Sequence, residues 1–548
     1  MKKFLAVLLV LVLVFGLAAC GTPSNTGGNN TNTTPAPTNN ATNNTNEGGN
    51  TTPAPSGEKK VLRVAVKADP ASLCHVITTV SSGNTPAQEI MGDRLFEFDY
   101  TTGNPTSMLA TAFEPIDANH FRLTIREGVK SWAGDTFKAS DVLYTIKSAV
   151  ESGVHDRYYG NFDVENSKVE DDTHVVIALK NPDSFIQSTL ANIPYIMLCE
   201  ESVKKQGGLE KEDGHDGTMP NCYTGPYIPV KWEANTSITF ARNENYWGDK
   251  PYFDEVVLYT VTDPIARVNN LLGGDVDLAL EPSESQIDAV KAKAGLKVIN
   301  LPTVNYHTWF LNTTMAPFDD ADFRRACALA LNYKDNIEIA LNGYASHSNS
   351  ILPTGNAMYS DPDKDGYESF YKTDVELAKE YLAKSKYANN PPTIKLSYMP
   401  VHETYATLIM QQLEVIGIKV ELVPTTDAAL KEAIATGSEH SWIINNSNTN
   451  PYEQLKFYDG RRSFKDNNGG AGWAAGVELT SDLFDKITSE PVFANQAPYY
   501  KDLQKVLNTE IPSIPLYIPD RLGFMVEKLD GFILTQNGDL NFSKCFFK

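Results

Sequence analysis

Few side chains in this chain of 548 residues stand in patterns that do chemistry. DPDKDGYESFYK, Asp361 to Lys372, opens as a calcium loop does, with Asp361, Asp363, Asp365 and the turn-forming Gly366. Lys372 stands where such a loop needs a bidentate carboxylate, so the segment is expected to be a solvated acidic turn. HETYA, His402 to Ala406, has the His-Glu of a zinc-protease helix without its second histidine. There is no Gly-x-Ser-x-Gly and no phosphate-binding loop, and His75, His347 and His440 stand singly. No cysteine lies in a Cys-x-x-Cys pair. Cys199 and Cys222 bracket a polar loop and are the candidate disulfide, whereas Cys327 falls on an apolar helical stripe and reads as core. No catalytic residue, metal or cofactor is expected, and a secreted hydrolase is the weaker reading.

Cys20 is chemically distinctive through its place. Lys2 and Lys3 precede an apolar run from Phe4 to Phe15, short for a bilayer span and flanked as a signal peptide is. The run ends in GLAACG, which resembles the lipobox of bacterial lipoproteins; by that resemblance residues 1–19 are removed and Cys20 carries the lipid. Residues 20–60 are rich in Asn, Thr, Gly and Pro, with almost nothing to bury. They are expected to be a flexible tether reaching on the order of 30 Å.

These features need a folded body to position. The remainder is long for one core and predicts two or three domains. A formal charge of −21 argues against nucleic acid and anionic bilayers as main partners. Alternation predicts strands over Val61 to Val66 and His120 to Ile125, and further strands over Ser237 to Phe240, Glu255 to Thr260 and Ile418 to Val423. Helices are expected over Asp141 to Val150, through Phe323 to Leu331 with Asp319 as cap, after a Thr373/Glu376 capping box, and over Tyr405 to Ile416. Arg324 and Arg325 suit surface ion pairs.

Seven segments in order resemble the extracellular solute-binding proteins of family 5, which include oligopeptide-, dipeptide- and nickel-binding proteins. They are Phe121 to Tyr144, TGPY at Thr224 to Tyr227, ARNENYWGDKPYFDEV at Ala241 to Val256, Leu271 to Leu280, Ala316 to Ile337, Gln411 to Leu422 and Ile511 to Pro519. The resemblance implies an α/β, two-lobed periplasmic-binding-protein fold of three domains, with a hinge between lobes and ligand enclosed at their interface. Domain I would comprise residues 61–98, 222–307 and 512–548, domain II residues 99–221, and the second lobe residues 308–511. The implied function is capture of short peptides for the permease and ATPase of an ABC importer by a monomer held at the membrane through its lipid. The same scaffold could take a sugar or metal chelate, or serve as a surface sensor.

In this family an aspartate in a motif resembling Trp-x-x-Asp-Tyr holds the peptide's amino terminus. Here Trp442 matches, but Asn445 and Asn446 stand at the aspartate and tyrosine positions. A neutral amide cannot neutralise an ammonium, so another carboxylate would have to do so. Opposite it, Thr79, Val80 and Ser81 occupy the place of the family's first ligand-contacting loop. Tyr306 and His307, near the expected crossing between lobes, complete the candidates for hinge or pocket.

Overall fold

The computed structural model describes residues 59–548 apart from 79, 82, 100–103, 447–448, 463–472, 474 and 535–539. Cys20, the leader, most of the tether and Thr79 therefore lie outside the described residues. Among those described, no helix is long and apolar enough to cross a membrane.

Alternation reads out directly in the first strand, Val61–Val66, where Leu62 and Val64 are fully buried. It pairs in parallel with Glu255–Thr260 on one side and Leu278–Leu280 on the other. The chain continues outward from Glu255–Thr260 through Ser237–Arg242 to Tyr227–Glu233, giving one half of a twelve-stranded sheet. The other half orders Val420–Pro424, Ile394–Tyr398, Ser441–Asn446 and Tyr306–Leu311.

The 14-residue strand Ser513–Val526 belongs to both halves. Ser513 to Tyr517 pair with Tyr306–Leu311, and Asp520 to Val526 pair with Leu296–Pro302. A second crossing runs between those two partner strands, and Thr303 braces it by donating from Oγ1 to Pro519 O at 3.1 Å. The apolar cores divide at the same place. One gathers residues between 62 and 280 with others from 525 to 545, and a second lies wholly within 309–517. A smaller third core includes Ala65, Val268 and Phe524. The first core also takes in the four-stranded sheet ordered Ala110–Pro115, His120–Ile125, His174–Leu179 and Phe162–Val169.

The TGPY stretch has a packing reason. A Cβ on Gly225 would stand 2.0 Å from Met91 O, so only glycine lets the two backbones approach. The Gly225 carbonyl then accepts from Trp132 Nε1 at 3.0 Å and Asn243 Nδ2 at 3.1 Å. Next to Met91, Asp93 is fully buried and accepts from Trp247 Nε1 at 2.7 Å, Thr224 Oγ1 at 2.8 Å and the Tyr246 hydroxyl at 3.1 Å. Residues from three of the sequence segments thus meet in one knot, and burial pushes the Asp93 carboxyl up to about 6 against those donors.

Several local expectations need correction. Asp320, not Asp319, caps Ala321–Ala330, accepting from Asp322 N and Phe323 N; Asp319 instead accepts from Lys386 Nζ and the Tyr387 hydroxyl. Asp374 caps Val375–Lys384 in place of Thr373, whose hydroxyl donates to Leu331 O at 2.8 Å. Arg324 is 4% exposed, and its guanidinium donates to the carbonyls of Phe318, Glu510 and Ile511 with Glu510 Oε2 3.8 Å away, whereas Arg325 makes the expected pairs, with Asp322 at 2.7 Å and Glu510 at 3.4 Å. Cys199 and Cys222 are both free and buried; they meet through the backbone, Cys199 N to Cys222 O at 2.8 Å. Asp361 caps the short helix Pro362–Asp365 and pairs with Lys364, while Asp365 pairs with Lys501 at 2.8 Å. This acidic turn spends its carboxylates on a cap and two lysines.

Candidate functional site

A cleft of about 1000 Å³ lies between the two large cores. Its first wall comes from loops over the first core. Val80 and Ser81 precede the helix Asn84–Met91, and Ser81 Oγ accepts from Asn84 N at 3.2 Å. Farther along this wall Tyr195, 2% exposed, packs tilted against Tyr159 with ring centroids 4.8 Å apart and donates its hydroxyl to Tyr158 O at 2.6 Å. Asn181, Pro182, Asp183 and Ser184 form a turn before the helix Ile186–Thr189. Asp183 fixes this turn by accepting from its own Phe185 N at 2.9 Å.

The opposite wall is built on the second core. Asn450 caps Pro451–Leu455 by accepting from Tyr452 N, which sets Tyr452 and Glu453 facing the cleft. Arg462 donates to the Tyr452 hydroxyl at 3.3 Å, and Glu453 accepts from Lys456 Nζ at 2.5 Å. Tyr500, on Ala497–Glu510, lines the same wall at 1% exposure. The two walls touch where Phe185 meets Phe493 edge-on, ring centroids 4.9 Å apart, and where Gln496 Nε2 donates to Ser184 Oγ.

Lys67, Glu281 and Arg521 contribute charge from the sheet. Glu281 holds a left-handed backbone, φ 46°, rare outside glycine. Buried Arg267 stabilises that bend by donating to the carbonyls of Leu280, Val261 and Thr262, which turns Glu281 toward Lys67 at 3.4 Å. Arg521 sits on the spanning strand with no ion-pair partner among the described residues.

Of the candidates read from sequence, Val80 and Ser81 line the cleft. Tyr306, Trp442, Asn445 and Asn446 are not among the described residues that do. Trp442 is fully buried and stacks on Phe310 at 5.8 Å, so its place in the motif is a core place. Tyr306 is 1% exposed within the second half of the sheet. Asn445 and Asn446 pair their backbones with His307 and Tyr306, and their amides reach Asn305 Oδ1 and Gln454 O. His307 stacks on Tyr517 at 4.4 Å and lies 2.9 Å from His402 Nε2 through Nδ1; burial pushes it down to about 3, so it stays neutral. Sequence reasoning missed Asp183, Glu453, Tyr500 and Arg521. Asn181-Pro182-Asp183 is a turn signal, but nothing local aims that turn at a helix more than 300 residues away.

The family model of the bacterial extracellular solute-binding proteins, family 5 middle, matches residues 104–469. The oligopeptide-binding protein OppA of Bacillus subtilis is 24% identical over 538 residues, covering 89% of this chain and 93% of that protein. Heme-binding protein A of Haemophilus influenzae is 25% identical over 495 residues, covering 84% and 87%. Among solved structures, the unliganded open form of the murein tripeptide-binding protein MppA superposes with a TM-score of 0.78 at 17% identity, covering 90% of this chain and 98% of that one. The family model spans most of the chain, and the solved structure shares its two-lobed fold. The chain belongs to the bacterial extracellular solute-binding proteins of family 5.

Proposed function

We propose that this protein is the lipid-anchored, extracytoplasmic receptor of an ABC importer, capturing short peptides between its two lobes and delivering them to a membrane permease. One observation carries the reading: a cleft of about 1000 Å³ whose walls come from separate cores joined by two crossing segments. That volume stands at the top of the range for small-molecule sites and accommodates several residues of extended chain. Tyr158, Tyr195, Tyr452 and Phe185 offer rings for side chains of varied size, and asparagines offer amide partners for a peptide backbone. Arg521 is suited to a ligand carboxylate.

A ligand that touches both walls stabilises the closed arrangement by its differential contacts, and docking on the permease reverses the preference. The anchor would be Cys20, with the Asn/Thr tract as its leash and domains divided as the resemblance implies. Oligopeptide-binding OppA among the relatives supports the peptide reading.

Native mass spectrometry of the purified protein tests it. A co-purified mixture of short peptides is expected; a bound sugar or metal chelate would overturn the peptide assignment. Palmitate labelling that disappears in Cys20→Ser is expected for the anchor.

A further inference from the structure

We propose that the face formed by Tyr252, Phe546 and Phe547 with Lys60 and Lys528 rests on the anionic surface of the membrane to which the body is tethered. This goes beyond ligand capture and rests on the lipid-anchor reading above.

The face is built where the tether joins the body. Lys59 and Lys60 lead directly into the first strand, Val61–Val66. Asp254 Oδ2 accepts from Lys60 N at 2.8 Å, and the Lys60 ammonium lies 4.0 Å over the Tyr252 ring. Beside Tyr252 a short antiparallel pair joins Leu529–Asp530 to Phe546–Phe547. There the ring centroids of Phe546 and Phe547 stand 6.4 and 6.5 Å from that of Tyr252, and the Lys528 ammonium lies 4.0 Å over Phe547. Fully buried Phe253 holds Phe547 edge-on at 4.8 Å, while Phe546 is left 39% exposed.

The lysines around this face divide into two kinds. Lys59 pairs with Glu255 at 2.5 Å, Lys548 with Asp530 at 2.5 Å and Lys544 with Glu97 at 3.6 Å. Lys60 and Lys528 make no ion pair among the described residues and hold their ammonium groups over rings instead. Half-exposed rings beside long cationic side chains suit a bilayer boundary, with rings at headgroup level and ammonium groups on phosphates.

The formal charge of −21 does not forbid this contact. Screening cuts off beyond about 8 Å at physiological salt, so the face decides and not the sum. Each unpaired lysine near an anionic leaflet strengthens binding roughly fivefold. The tether supplies the remainder, because residues 20–58 join this face to the anchor and a reach on the order of 30 Å keeps the body at millimolar effective concentration. Even a weak contact is then well occupied. Resting there would stop the body turning on its leash and present one constant side to the permease.

Lysine footprinting of the full processed chain in vesicles tests the proposal. Acetylation rates at Lys60 and Lys528 are compared with the rate at Lys364, whose side chain is 83% exposed on the second lobe. With phosphatidylglycerol in phosphatidylcholine vesicles, Lys60 and Lys528 should react about fivefold more slowly than in detergent, while Lys364 keeps its rate. Phosphatidylcholine alone should slow them by less than about twofold. Phe546→Ser and Lys528→Gln, read at Lys60 and checked for folding by a thermal melt, should each reduce the slowing to below about twofold. Unchanged rates at Lys60 and Lys528 in chains that float with the vesicles would overturn the face and leave the anchor standing. If the chain fails to float but excess anionic lipid still slows Lys60, the face stands and the anchor falls; neither flotation nor slowing overturns both. Slowing that follows protein density rather than phosphatidylglycerol marks contact between copies and overturns the membrane as partner.

Discussion

Asp93 and Asp183 carry the same burial-driven shift, each to about 6, in two very different settings. Around Asp93 three side-chain donors from Thr224, Tyr246 and Trp247 close on one carboxylate, beside the backbone contact that Gly225 permits. Around Asp183 the chain offers a single backbone N–H and leaves the rest of the carboxylate facing the cleft. A raised pKa by itself marks desolvation. The partners decide whether such an acid is tied into the structure, as Asp93 is, or left half-buried and open to the cleft, as Asp183 is.

The sharpest way to break this comparison is to remove the first acid. Asp93→Ala leaves three buried donors without an acceptor and is expected to cost about 3 kcal/mol, read by urea denaturation. Gly225→Ala should follow at about 2 kcal/mol, since its methyl group would have to displace the Met91 carbonyl. A loss below about 0.5 kcal/mol in either would mean that this knot is looser than its geometry.

Acid should act at both sites. Glu453 and Tyr500 on the far wall and Tyr195 on its own wall are the ionisable groups that act with Asp183, the two tyrosines being held neutral by burial. A carboxyl whose folded-state pKa lies above its unfolded value favours the fold while protonated, and that contribution is lost as pH rises from about 4 through 6. The wild type should therefore lose stability between about pH 4 and 6, and Asp183→Asn should lose less of it, read by urea denaturation at each pH. The opposite sign sharpens the contrast most: Asp183→Asn removes a carboxyl whose ionisation the fold disfavours and should leave folding stability at pH 7 unchanged or raised, against the large loss at Asp93.

What the sequence revealed follows the range of the forces involved. Alternation in Val61–Val66, His120–Ile125 and Glu255–Thr260 is local, and these strands can be read residue by residue. Caps slip by one residue, from Asp319 to Asp320 and Thr373 to Asp374, because two capping residues stand side by side and only the backbone bend chooses between them. Motif resemblance led to the fold; of its candidate ligand residues Val80 and Ser81 line the cleft, Trp442 is buried in the second core and Asn445 pairs its backbone with His307. Asp183, Glu453 and Tyr500 are three unremarkable residues in the chain. Only the meeting of two cores lines one cleft with all three.

The turn that presents Asp183 has one more effect, on time rather than affinity. Its next two residues, Ser184 and Phe185, are those that touch Gln496 and Phe493 on the far wall. Parting the two walls must break that edge-on ring pair. At about 0.5–1.5 kcal/mol such a pair slows escape by roughly two- to twelvefold. The catch is weak enough for a docking permease to spring and strong enough to discourage idle opening.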